Sequence, residues 1–206
     1  MSVKQIGSGC PYKASITREP FLFYEMRTTA KLMMDGLPDD EIVQRIVAEN
    51  LFQYPTERSV KRMANACVKR LRGMDDMTLV NAIATKPMDV SRQVCLYAMM
   101  KEHRLISDFM LTVIGEKYRT QEFYFSRKDL NLFFFRLQEQ NDTVAGWTDG
   151  TIGKIKQVLT RMLVECEYLD TIKSTQLNPV TIAPELEDVI RADNDLAALP
   201  AFNCFR

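Results

Sequence analysis

Apolar residues recur at helical spacing through most of this 206-residue chain, and no other feature restricts the fold as strongly. One such stretch, residues 56–72, carries Val60, Ala64, Cys67 and Leu71 along one side. The chain has only 8 glycines and 8 prolines, so long segments run without a residue that breaks helices. We therefore expect a mainly α-helical protein.

The same segment, residues 56–72, concentrates positive charge. It holds six Lys or Arg residues and one acidic residue, although the whole chain has a formal net charge of zero. Opposite the apolar side lies a row about 20 Å long, at a rise of about 1.5 Å per residue. The row consists of Arg58, Arg62, Asn65, Lys69 and Arg72, with Lys61 beside it. Because the charge on this face has one sign, the row indicates an anionic partner.

A shorter amphipathic helix is predicted just before the basic one, over residues 38–50. Thr56 is suited to cap the second helix. A short helix, a turn and a helix with a basic outer face predict a helix-turn-helix, whose second helix lies in the major groove of DNA. We expect the cations to contact phosphates, and Ser59 and Asn65 to be the polar groups best placed for base edges.

A second candidate begins after residue 120. Ser126 starts a predicted helix, a polar turn follows, and a second helix ends near residue 166. Residues 168–172 and 179–182 are rich in β-branched side chains and predict a β-hairpin, which completes the order of a winged helix. The candidate DNA contacts here are Lys128, Lys154, Lys156 and Arg161, with Lys173 at the flank. Ordinary surface solubility is the competing interpretation, because Glu165 and Glu167 dilute the positive charge.

These patterns divide the chain into five segments. Residues 1–73 hold 12 basic and 8 acidic groups, whereas residues 176–206 hold 2 basic and 5 acidic groups, so the C-terminus offsets a basic front. The predicted segments are a flexible lead (1–11), an N-terminal helical domain with the helix-turn-helix (12–73), a helical scaffold (74–120), a winged-helix-like region (121–183) and an acidic tail that begins as a helix and then frays (184–206).

Cysteine and histidine content argues against a metal site. The five cysteines lie far apart without a CxxC pair, and His103 is the one histidine, so we expect reduced thiols, no metal and no cofactor. We interpret His103 as an ordinary surface or turn residue.

The N-terminus lacks the apolar core of a signal peptide, and the chain lacks the run of about 20 apolar residues that a membrane span requires. The expected location is the cytoplasm.

Two stretches carry a family resemblance: YKASITREPFLFYEMRTTAKLMMDG (12–36) and ENLFQYPTERSVKRMANACVKRLR (49–72). They resemble BrxA, the small protein of the BREX bacteriophage-exclusion systems. The resemblance implies a cytoplasmic bacterial defence protein, mainly helical, with helix-turn-helix or winged-helix character and double-stranded DNA binding. It also implies partners among the other BREX proteins, namely a DNA methyltransferase, a large ATPase, a phosphatase-like protein and often a Lon-like protease. It supplies no catalytic residues.

Three functions therefore stay open. The leading one is a DNA-binding component without catalytic activity. The second is a protein adaptor that joins the BREX methyltransferase or ATPase machinery through an exposed apolar patch at residues 133–135, because three consecutive aromatic residues cannot all face one helical core. The third is RNA binding, which attraction to phosphates does not exclude. An enzyme is the least favoured, because the acidic pairs of the sequence sit at predicted helix starts.

Overall fold

A computed structural model describes residues 11–205, and these residues are mainly α-helical, as predicted. Within this range no β-strand forms, and β pairing is limited to one isolated antiparallel bridge between Tyr124 and Gln176. Most of the predicted flexible lead, residues 1–10, lies outside the described residues. No helix between residues 11 and 205 combines the length and hydropathy needed to cross a membrane.

The chain forms two compact units. The first unit is residues 21–102, and the second combines residues 11–20 with residues 103–205. The first unit contains α1 (Phe23–Met34), α2 (Asp39–Ala48), α3 (Glu57–Arg72), α4 (Met77–Thr85) and α5 (Met88–Glu102). The second unit contains a 3₁₀ helix (Ser15–Thr17), α6 (Arg104–Phe109), a π-helix (Met110–Gly115), α7 (Glu116–Arg119), α8 (Arg127–Gln140), α9 (Asp142–Ala145), α10 (Asp149–Glu165), α11 (Pro184–Ala192) and a second 3₁₀ helix (Leu196–Phe202). The boundary at residue 102 falls inside the predicted scaffold segment 74–120.

The core of the first unit is built around α5. Helices α1, α3 and α4 all contact it, and residues 94–100 have no exposed surface. A helix that is buried on every side needs apolar residues all round, and this stretch reads VCLYAMM. Helix α1 ends where predicted, at Gly36, whose positive φ of 80° is a conformation that glycine adopts without steric cost.

A buried arginine fixes the entry to α1. Arg70 of α3 is 1% exposed, and its Nη1 donates a hydrogen bond of 3.3 Å to the carbonyl oxygen of Phe21. The next residue, Leu22, has the left-handed backbone conformation (φ 57°) that is costly for a branched side chain. Because the hydrogen bond holds the carbonyl directly before Leu22, Arg70 has a structural role in the core.

In the second unit α8 begins as predicted, with a capping box between Ser126 and Asp129. Asp129 also forms an ion pair with Lys117, which is 7% exposed. The distance between Lys117 Nζ and Asp129 Oδ1 is 2.9 Å. One aspartate therefore satisfies both a helix end and a buried ammonium group. Of the three consecutive phenylalanines on α8, Phe133 and Phe134 are buried and only Phe135 is exposed, so the predicted apolar patch at residues 133–135 is wrong in its extent.

The predicted β-hairpin does not form. The backbone amide of Tyr168 donates to the Leu163 carbonyl at the end of α10, and the buried Tyr168 hydroxyl donates to the Ala201 carbonyl. These bonds hold the 168–172 segment as turns instead of a strand. The backbone amide of Phe125 donates to the carbonyl of Thr175, and the amide of Leu177 donates to the carbonyl of Phe123. Residues 123–125 therefore meet the predicted linker between the two hairpin strands, and not residues 179–182. The predicted winged helix therefore lacks the β-hairpin that would form its wing.

The C-terminal tail does not fray after its helix. Beyond α11, the 3₁₀ helix Leu196–Phe202 packs against the π-helix, and its Ala198, Leu199 and Phe202 are buried. Gly115 lies at this contact, because a Cβ added there would meet Pro200 at 3.0–3.1 Å. A short turn rich in buried alanine and leucine lacks the period of an α-helix, which explains the wrong prediction.

We expect Gly115→Ala to destabilise the protein by about 1–3 kcal/mol, because the new methyl group overlaps Pro200. The matched control is Gly153→Ala in α10, where nothing lies within 4 Å of an added Cβ. That variant gains up to about 1 kcal/mol from better helix propensity. Urea unfolding of both variants measures the difference, and an equal effect at the two glycines would show that the tail is not packed there.

Candidate nucleic-acid interface

Helix α3 begins and packs as the sequence predicts. The Thr56 hydroxyl oxygen accepts a hydrogen bond of 3.3 Å from the backbone amide of Ser59, which makes Thr56 the N-cap. The predicted apolar side is buried: Val60, Ala64, Cys67 and Leu71 are each 1% exposed or less. Since this side faces the core of the first unit, the opposite side of the helix faces solvent.

The basic row lies on that solvent side. Its exposed members are Arg58, Lys61, Arg62, Asn65, Lys69 and Arg72. Ser59 is only half-buried, but its hydroxyl oxygen accepts a 2.8 Å hydrogen bond from the Thr56 hydroxyl, so Ser59 serves the helix cap instead of an open surface. Asn65 is the predicted base-edge residue that stays exposed.

Two cations of the row are neutralised within the protein. Lys69 forms an ion pair with Glu102 at the end of α5. Arg72 pairs with Asp39 at the start of α2 through two nitrogen atoms, with Nη2 2.7 Å and Nε 3.0 Å from the same carboxylate oxygen. The hydrogen bond to Asp39 raises the pKa of Arg72. The C-terminal half of the row therefore presents much less positive charge than its sequence indicates.

The remaining three cations form what we call the basic cluster: Arg58, Lys61 and Arg62. All three are exposed, and none forms an ion pair with any residue between 11 and 205. Their spacing of three and four residues places them on one face of a single turn, within about 6 Å along the helix axis. They lie at the N-terminal end of α3, where the helix dipole adds partial positive charge.

An aromatic residue that the sequence analysis did not single out lies beside the basic cluster. Tyr54 is half-buried in the connection between α2 and α3, and its hydroxyl donates to Glu25 of α1 at 2.8 Å. Burial, and then the hydrogen bond to Glu25, raise the pKa of Tyr54, and the charge of Arg62 partly opposes them. The rings of Phe52 and Tyr54 meet edge to face at 6.4 Å. The sequence signal for this residue was the presence of two aromatic residues shortly before a basic helix.

The connection between α2 and α3 spans residues 49–56. The two helices pack against each other, as in a helix-turn-helix. The connection is longer than the usual turn of about three or four residues in that motif.

The second predicted group of cations is less concentrated. Lys154 and Arg161 are exposed on α10, two turns apart. Lys156 is half-buried, because its ammonium group donates to the side-chain oxygen of Asn131 at 2.8 Å and lies 5.4 Å from the ring centre of Phe134. Lys128 is exposed on α8, and Lys173 is exposed in the turn after α10. Lys156 thus ties α10 to α8.

His103, predicted at the surface or in a turn, is 5% exposed directly before α6. In the part of the chain that the structure describes, no three His, Cys, Asp or Glu residues converge as a metal-binding group.

Comparisons with known proteins place these features in a family. The BrxA family model matches residues 10–194. A protein named "BREX protein BrxA" from Bacillus cereus is 36% identical over 80% of this chain and 82% of its own length. Another of that name, from Paramagnetospirillum magneticum, is 26% identical over 89% of this chain and 92% of its own length.

A solved structure has the same fold. The crystal structure of an uncharacterized protein from Magnetospirillum magneticum covers 93% of this chain and 97% of its own chain, with a TM-score of 0.79 and 24% sequence identity. The family match extends from the predicted lead through α11, so it includes the basic helix α3 as well as the second unit. The chain belongs to the BrxA family.

Proposed function

We propose that this protein is a non-catalytic, double-stranded DNA-binding component of a bacterial BREX phage-defence system, acting in the cytoplasm with the BREX methyltransferase, ATPase and phosphatase-like protein. Family membership supports the defence role. One structural observation supports DNA binding: the basic cluster Arg58, Lys61 and Arg62 stands exposed on one turn of α3 without an acidic partner among the described residues.

The position of the cluster on its helix supports a duplex partner. In a helix-turn-helix, the N-terminal residues of the second helix reach the base edges in the major groove. The basic cluster occupies the N-terminal half of α3, and Asn65 is exposed one turn further on. In this proposal α2, the connection 49–56 and α3 act as a helix-turn-helix-like element. Its three cations contact phosphates, and Asn65 is the side chain aimed at the bases.

The cations of α10 have a secondary role in this proposal. Lys154 and Arg161 offer a separate, weaker attraction to phosphates in the second unit, whereas Lys156 is already engaged with Asn131 and Phe134. Exposed lysines and arginines without a shared, closely spaced turn attract a polyanion only weakly at physiological salt. The main contact therefore belongs to α3.

The ion pairs at Lys69 and Arg72 make the salt dependence of binding diagnostic. Three phosphate contacts give a slope of about −2.7 for log affinity against log salt, whereas the five cations of the whole row give about −4.5. We expect the smaller slope in fluorescence-anisotropy titrations of a labelled duplex at several salt concentrations. A salt-independent complex would contradict phosphate binding altogether.

Removing two charges at a time locates the contact. We expect Arg58→Ala with Arg62→Ala to weaken duplex binding at least about tenfold and to reduce the slope to about −0.9. The matched control, Lys69→Ala with Arg72→Ala, removes the same formal charge from the same helix but leaves the slope near about −2.7. Neither Arg58 nor Arg62 is buried, so helical circular dichroism stays unchanged.

The opposite ranking of the two double variants would place the contact at the C-terminal end of α3 and overturn the assignment.

Competition with RNA tests the nature of the partner. Phosphate attraction ignores the sugar, so equal competition by RNA at equal nucleotide concentration would contradict a duplex-DNA reader.

A further inference from the structure

The outer face of α8 exposes two large apolar side chains side by side. Leu132 is 48% exposed and Phe135 is 59% exposed, although the intervening Phe133 and Phe134 are buried. Residues three apart on a helix are neighbours, so Leu132 and Phe135 form one continuous apolar surface pair. The buried side of α8 supplies the core of the second unit, and this pair takes no part in it.

Unpaired charges flank the apolar pair at both ends. Lys128 lies four residues before Leu132, and Glu139 lies four residues after Phe135; both are exposed. Neither forms an ion pair within residues 11–205. The two residues are eleven positions apart, which is about 16 Å of helix, so Lys128 and Glu139 cannot reach each other within one chain.

This arrangement is complementary to itself. If two α8 helices pack antiparallel about a two-fold axis between Leu132 and Phe135, Leu132 lies opposite Phe135 of the second copy. The same axis places Lys128 opposite Glu139 of the second copy, and the reciprocal pair forms at the other end. A two-fold interface requires this relation, in which residue i meets j and j meets i. We propose that the outer face of α8 is the interface of a homodimer.

Charge order favours a second copy over an unrelated partner. An unrelated partner complements this face only if it also has an apolar centre and carries the two flanking charges in the reversed order. An antiparallel copy of α8 carries that order by symmetry. Arg136, which is also exposed, comes opposite Asn131 of the second copy, whose side-chain oxygen already accepts a hydrogen bond from Lys156, so this position adds no favourable ion pair.

The proposed dimer is weak. Four apolar side chains, two from each copy, and two ion pairs bury much less surface than the roughly 1,600 Å² of a standard interface. Exposed ion pairs add selectivity more than affinity. Association is therefore expected in the range between about 1 μM and 1 mM, where sedimentation velocity detects a concentration-dependent shift from monomer to dimer.

Removal of the apolar pair tests the interface. We expect Leu132→Asp with Phe135→Asp to sediment as a monomer throughout that concentration range, with unchanged helical circular dichroism. The control is Ile172→Asp, which introduces one aspartate in place of an apolar side chain that is 64% exposed in the same unit but outside α8. We expect this variant to keep the wild-type dimerisation. A wild-type protein that stays monomeric, or a control that loses dimerisation equally, would overturn the proposal.

A charge exchange tests the two-fold geometry. We expect Lys128→Glu alone and Glu139→Lys alone to weaken association, because each places like charges opposite each other. The variant with both changes restores opposite charges across the axis and regains the wild-type dimer fraction. Since the two positions cannot meet within one chain, rescue reports an intermolecular contact, and its failure overturns the antiparallel arrangement. These experiments contain no DNA, so their outcome is independent of the function proposed for α3.

Discussion

Exclusion of water from one side of α3 determines which charges the protein presents. With Val60, Ala64, Cys67 and Leu71 buried, rotation of the helix about its axis would expose apolar surface at about 25 cal/mol per Å². That cost fixes the direction of every other side chain on the helix. It sends Arg70 into the core and directs the rest of the basic residues toward solvent, so the hydrophobic effect sets the electrostatics.

Intramolecular acids then divide the exposed cations into two classes. Lys69, Arg72 and Asp39 are solvent-exposed and only Glu102 is partly buried, so each ion pair contributes little to stability. Their effect is local neutralisation, because each acid cancels the field of one cation within a few ångströms. The field of α3 is therefore strongest around its first two turns, next to Tyr54 and the end of α2.

Local patterns predicted the helices well, because amphipathic spacing and capping residues act over three or four positions. Thr56, Ser126 and the buried side of α3 are cases of this kind. The ion pairs of Lys69 and Arg72 each join residues 33 positions apart, and no local pattern encodes such a contact. The hairpin was wrong because tertiary contacts overrode the β propensity of the segment: the buried hydroxyl of Tyr168 anchors it to residue 201. The sequence thus locates the candidate DNA-binding helix, while tertiary contacts decide which of its cations are available.

The second unit draws on both ends of the chain, since residues 11–20 belong with residues 103–205. The first unit is therefore an insertion in the sequence of the second. On the ribosome, the first unit has all of its residues once position 102 has emerged and is able to fold early. The second unit must wait for the segment that ends at Phe202, which completes its core. Termination of translation before Phe202 would leave the basic helix folded on a molecule whose second unit is unfinished.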